Sequence, residues 1–220
     1  MTTGAARELP AGPVPAGGVR TGLRLARLHL VSRRVPAALA AMAACAVALR
    51  IALHWQWDAY GALQLPLVFE TGCAAAIAVA TASPFGEPER ATVRWLPLLR
   101  LGTALALTAV AVGVLTAAGI GAHLAGGQVD ALRNIAGLTG IGLLCAAVLG
   151  GALAWTAPTA YLVIAVYALY TQWHGPALTT PWLWPARPPH DTGAALCAGL
   201  VFVLGMAAIA VRGARDTAGE

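Results

Sequence analysis

Residues 135–170, IAGLTGIGLLCAAVLGGALAWTAPTAYLVIAVYALY, run for 36 positions without a charged side chain. As one helix this stretch would be about 54 Å long, against a bilayer hydrocarbon core of about 30 Å. It therefore reads as two membrane spans that turn between Gly150-Gly151 and Pro158, where the residues break helices. Four more apolar blocks follow the same logic, so the sequence predicts spans at about 36–53, 62–82, 101–121, 135–150, 156–170 and 193–211. The expected fold class is all-α: a polytopic membrane protein of six transmembrane helices within residues 35–212.

Composition supports this. The 220-residue chain is 59% hydrophobic and 10% charged, with a mean hydropathy of +0.72; a soluble globular chain is about 45–50% apolar and about 25% charged. All 14 basic residues are Arg. Without Lys the chain has neither a phosphate-binding Walker A loop nor a Schiff-base lysine. Cys45, Cys73, Cys145 and Cys197 sit in separate apolar blocks and read as buried thiols, with no disulfide or zinc spacing. No GxSxG, HExxH or useful carboxylate pair occurs, so no catalytic residues and no enzyme activity are expected.

Arginine placement sets the expected orientation. With the N-terminus inside, eleven Arg fall on the inner side: Arg7, Arg20, Arg24, Arg27, Arg33, Arg34, Arg90, Arg94, Arg100, Arg212 and Arg215. Both termini are then cytoplasmic, and the net charge of +5 reflects topology rather than nucleic-acid binding. Residues 1–19 read as a disordered tail and 213–220 as a second cytoplasmic tail. Over residues 20–34, Arg20, Arg24, Arg27 and Arg34 share one helical stripe, the pattern of an amphipathic helix on the membrane surface. Trp55, Trp57, Tyr60, Trp173, Trp182 and Trp184 form an aromatic belt on the outer side. The stretch Tyr170–Asp191, with five Pro and three Trp, is expected to dip into the outer leaflet.

Two charges lie within predicted spans. Arg50 is about 21 Å from the inner face and Glu70 about 12 Å from the outer face, depths that match across the core. An unpaired charge there costs at least ~2.5–3.5 kcal/mol, so an Arg50–Glu70 ion pair is expected. Asp130 and Arg133 read as a local interfacial pair. His54, His123, His174 and His190 fall on the outer side without metal-ligand spacing, so no metal site is expected. Gly137, Gly140, Gly142, Gly150, Gly151, Gly193, Gly199 and Gly205 read as helix-packing positions.

The loop Ser83–Leu101, SPFGEPERATVRWLPLLRL, mixes Glu87, Glu89, Arg90 and Arg94 with Trp95 and an apolar run. A small helix exposed to a soluble partner fits this pattern. With the six spans and the basic helix, the layout resembles the ABC-2 (exporter-type) permease subunits of bacterial ATP-binding-cassette transporters. In that family an elbow helix precedes the first span, and here it would be residues 20–34. A coupling helix in the first cytoplasmic loop docks on the ATPase; Glu87, Glu89, Arg90, Thr92, Arg94 and Trp95 occupy that place. Re-entrant elements precede the last span, where Trp173, Trp182 and Trp184 lie.

The resemblance implies a permease in the bacterial cytoplasmic membrane, pairing with itself or a sister permease among membrane lipids. ATP and Mg would be held by a separate cytosolic ATPase, with no cofactor of the chain's own and no nucleic-acid partner. The apolar spans favour a hydrophobic or amphipathic cargo, such as an antibiotic, a peptide or a lipid-like molecule. A non-transporting scaffold or immunity protein, and a secondary transporter, are the competing readings.

Overall fold

The computed structural model describes residues 34–55, 57, 59–81, 96–121, 127–171 and 180–212. Six helices in it are long and apolar enough to cross a membrane, with mean hydropathies from 1.6 to 2.5. They are α1 (Val35–Ala52), α2 (Ala59–Thr81), α3 (Leu96–Ala118), α4 (Gly127–Leu149), α5 (Thr156–Thr171), which reaches membrane length together with the turn before it as Gly151–Tyr170, and α6 (Thr192–Arg212). Among the described residues all regular structure is helical. Large apolar side chains such as Val47, Val163, Leu196, Val203 and Val211 are exposed on the outside of the bundle. An apolar exterior on helices of this length suits lipid rather than water, the build of a multi-pass membrane protein.

Local chemistry sets the helix ends. Arg34 adopts a left-handed φ of 57° immediately before α1, and Pro36 follows in the first turn, where its missing N–H costs nothing. Gly150, with φ 91°, turns the chain out of α4 into a 3-10 turn at Gly151–Leu153 and then into α5. Asp191 caps α6: its Oδ1 accepts from the Gly193 and Ala194 amides at 2.8 and 3.2 Å.

The bundle is organised around α4, the most buried of the six helices, which packs against α2, α3, α5 and α6. Its closest neighbour is α6, and glycine makes the approach possible. A Cβ on Gly140 would stand 2.6 Å from the Phe202 backbone, and one on Gly142 would stand 2.8 Å from Ala78 Cβ. The expected packing role thus holds at these positions, whereas Gly199 faces open space.

Helix α2 divides its surface between two neighbourhoods. Cys73, Ile77 and Ala80 pack with Met42 and Leu49 of α1 and Leu107 of α3. Leu67 and Ala74 pack with Leu138 of α4 and Ala165 of α5. Glu70 lies at i+3 from Leu67 and i−4 from Ala74, on the α4 side.

Two spans begin earlier than their charges suggested. Helix α3 starts at Leu96 rather than 101 and carries Arg100 buried in its first turns. Helix α4 starts at Gly127 rather than 135, taking in Asp130, Arg133 and Asn134. In α4 those polar groups bind one another and neighbouring segments, so charge does not end the helix there. The expected elbow helix, except Arg34, lies outside the described residues. So do Glu87, Glu89, Arg90, Thr92, Arg94 and Trp95 of the expected coupling loop, and Trp173.

Candidate functional site

The near end of the bundle carries residues 34 and 212, and the far end is opposite. Of the buried polar groups, Glu70, Arg133 and Asn134 lie toward the far end, between α2, α4 and the segment that leads into α6.

Arg133 anchors this cluster. Its side chain is 5% exposed, and Nη2 stands 2.6 Å from Asp130 Oδ1, one helical turn back. Nη1 donates to the Pro188 carbonyl at 2.9 Å and Nη2 to the Arg187 carbonyl at 3.3 Å. The predicted Asp130–Arg133 pair is present, but it is more than local. The guanidinium ties the start of α4 to the proline-rich segment 180–191, bonding the Arg187 carbonyl and adding a second donor to the Pro188 carbonyl, which also accepts the Asp191 amide at 3.1 Å.

That segment is itself held firmly. Arg187 pairs with Asp191 Oδ2, and a 3-10 turn spans Trp184–Ala186. The carboxyl of Asp191 lies below its usual range, chiefly because it accepts the Ala194 amide and also because Arg187 bonds to it. Trp184 is 2% exposed and stacks on Tyr161 with ring centroids 4.7 Å apart. Tyr161 Oη donates to the Trp182 carbonyl at 2.7 Å. A Cβ on Gly137 would meet the Trp184 ring at 2.5 Å, so this glycine makes room for the indole. Trp182, by contrast, is 49% exposed. The belt reading needs correction for Trp184, which turns inward because Gly137 and Tyr161 offer it a slot.

The expected Arg50–Glu70 pair does not form. Arg50 lies in the last turn of α1 and donates from Nη1 to the Ala118 and Ile120 carbonyls at 3.3 and 2.7 Å. These belong to the C-terminal end of α3, where carbonyls lack helical partners and attract a cation. His54 Nδ1 donates to the Arg50 carbonyl at 2.7 Å, closing the same corner. Matching depth says nothing about azimuth, and Glu70 faces away from α1.

Glu70 is 3% exposed and meets Asn134 of α4, itself 8% exposed. The Asn134 amide donates to the Glu70 carboxyl. Glu70 Oε2 and Asn134 Oδ1 have no hydrogen-bond partner among the described residues. Both residues line a small pocket with Asp130, Pro66, Leu169 and Pro185, holding about 30 Å³ of water-sized space. Pro66 removes one N–H from the α2 ladder about one turn before Glu70. Reading the sequence for charge alone misses both Asn134 and the proline. The signal for Asn134 is its position four residues beyond an Asp, at the start of an apolar run.

Neither a protein-family model nor a curated protein nor a solved structure matches the chain. Among the described residues, no three His, Cys, Asp or Glu side chains come together in a group that could hold a metal ion. The four cysteines are free thiols.

Proposed function

We propose that the chain is the membrane-spanning subunit of an ATP-driven exporter, carrying a hydrophobic or amphipathic cargo. Its two ends lie in the cytoplasm of a bacterial cell in this reading, and a separate ATPase supplies the energy. The observation that carries the reading is the order of features along one chain. A basic amphipathic segment is followed by six membrane-length helices, with a mixed-charge loop between the second and third and a Trp/Pro segment before the last.

The chain has no lysine for a phosphate loop of its own, which agrees with hydrolysis in a partner. Two copies, or this chain and a sister permease, would enclose the route. The loop holding Glu87, Glu89, Arg90, Thr92, Arg94 and Trp95 would dock on the ATPase and transmit its closure to α2 and α3. The largely apolar helix surfaces suit a cargo that partitions into lipid.

Affinity purification of the tagged full-length chain from its native membrane in mild detergent tests this. A stoichiometric ATPase subunit with vanadate-sensitive hydrolysis is the expected result. The double substitution of Glu89 and Arg90 by Ala should release that subunit while the variant still inserts. A single inactive band, repeated in nanodiscs, would overturn the reading in favour of a scaffold or immunity protein.

A further inference from the structure

The Glu70–Asn134 contact is short of one hydrogen. A carboxylate and an amide oxygen are both acceptors only, yet Glu70 Oε2 and Asn134 Oδ1 are both buried and both without a donor among the described residues. The amide already gives one bond to the carboxyl. A protonated carboxyl and a primary amide each present one donor and one acceptor, so a single proton on Oε2 turns the half-made contact into a two-point pair. Burying the ionised form with an orphan oxygen, by contrast, carries the full desolvation penalty of a charge.

Charge counting agrees. Ionised Glu70 and Asp130 bring two negative charges to the pocket and Arg133 one positive, leaving one negative charge to neutralise. Beyond Arg133, none of the other neighbours sets a positive charge against Glu70 itself. From α1, Arg50 is engaged at Ala118 and Ile120. Arg100 lies at the opposite end of α3 from Ala118. From α5, the Tyr161 hydroxyl bonds the Trp182 carbonyl. Cys73, on α2 itself, is a thiol within electrostatic reach of Glu70. In the segment before α6, His190 acts on Asp130, while Arg187 and Asp191 neutralise each other. The space of about 30 Å³ suits one water, and no metal-holding group is present among the described residues.

We infer that the Glu70 pocket is a binding site for a single hydrogen ion, held on Glu70 Oε2, whose O–H then donates to Asn134 Oδ1. This goes beyond the exporter reading and does not depend on it.

Infrared difference spectroscopy on the purified full-length protein tests the site through the C=O stretch of a protonated carboxylic acid. The band should be present at neutral pH and lost in alkali. It should be absent at neutral pH in Glu70→Gln, whose amide supplies the same donor and acceptor to Asn134 and keeps the thermal midpoint there. No such band in the parent protein at neutral pH, or its survival in Glu70→Gln, overturns the inference. Exchanging choline for sodium at constant ionic strength should leave the band unchanged; loss of the band in sodium would make sodium the occupant and overturn the proton. If Glu70→Gln fails to insert, Asn134→Ala should shift the pH at which the band disappears, and an unshifted band overturns the pairing.

Discussion

Gly205 lies so close to Gly140 that a Cβ built on it would stand 2.6 Å from the Gly140 carbonyl oxygen. The α4–α6 contact is therefore backbone against backbone, the arrangement that small residues permit where lipid offers no hydrophobic drive for association. Gly205→Ala and Gly140→Ala should each cost about 1–3 kcal/mol through forced separation of the helices. Gly199→Ala, with nothing within 4 Å, should be neutral or slightly stabilising. Thermal unfolding in detergent compares the three; equal losses at all of them would contradict the close approach.

Arg133 holds an ion pair and two carbonyls together. Its replacement by Ala leaves Asp130 without its buried counter-charge and takes a donor from the Arg187 and Pro188 carbonyls, the latter keeping only the Asp191 amide. We expect a loss of about 3–5 kcal/mol. Adding Asp130→Asn to Arg133→Ala should recover part of it, because the uncompensated charge is then gone. A double variant no more stable than Arg133→Ala would argue against the pairing.

Asp191 supplies the pH dependence. Its carboxyl is held below the ordinary value of 3.8, first by the Ala194 amide and further by Arg187. A depressed folded-state value means stability that is present above the unfolded value and lost as pH falls through the folded one. Asp191→Ala should lower the melting temperature at neutral pH, and the gap to the parent protein should narrow on acidification below about pH 4. A gap that is constant with pH would exclude the ionised cap.

The Tyr161–Trp184 stack separates two kinds of contact. Tyr161→Phe keeps the ring at its centroid distance of 4.7 Å but removes the bond to the Trp182 carbonyl. It should cost about 1 kcal/mol. Trp184→Ala empties a fully enclosed slot and should cost about 3–5 kcal/mol. Chemical denaturation of the two variants should rank them in that order.

Arg50 and Glu70 should behave as independent sites. Arg50→Ala frees the Ala118 and Ile120 carbonyls at the end of α3, whereas Glu70 acts through Asn134. A double-mutant cycle with Glu70→Gln should be additive within about 0.3–0.5 kcal/mol. A larger coupling energy would restore the ion pair between α1 and α2.

The number of spans and the turn near Gly150 could be read along the chain, because each rests on a local run of apolar residues or on a helix-breaking pair. The starts of α3 and α4 could not. Arg100, Asp130 and Arg133 look like the ends of spans until their partners are known; for Arg133 these are an Asp one turn away and carbonyls more than fifty positions on. Trp184 looks like its exposed neighbour Trp182 in sequence. Only the slot between Gly137 and Tyr161 tells them apart.

What the sequence determined by itself was therefore the repertoire: six helices of membrane length, because apolarity and length are properties of a segment alone. What the tertiary structure decided was azimuth. Helix α2 is apolar on nearly every face, so its sequence does not say which side meets α1 and which meets α4. Packing turned Cys73 and Ile77 toward α1, and Leu67, Glu70 and Ala74 toward α4. That rotation separated Glu70 from Arg50 and placed it against Asn134, because close fit between helices, and not depth in the membrane, selects a buried charge's partner.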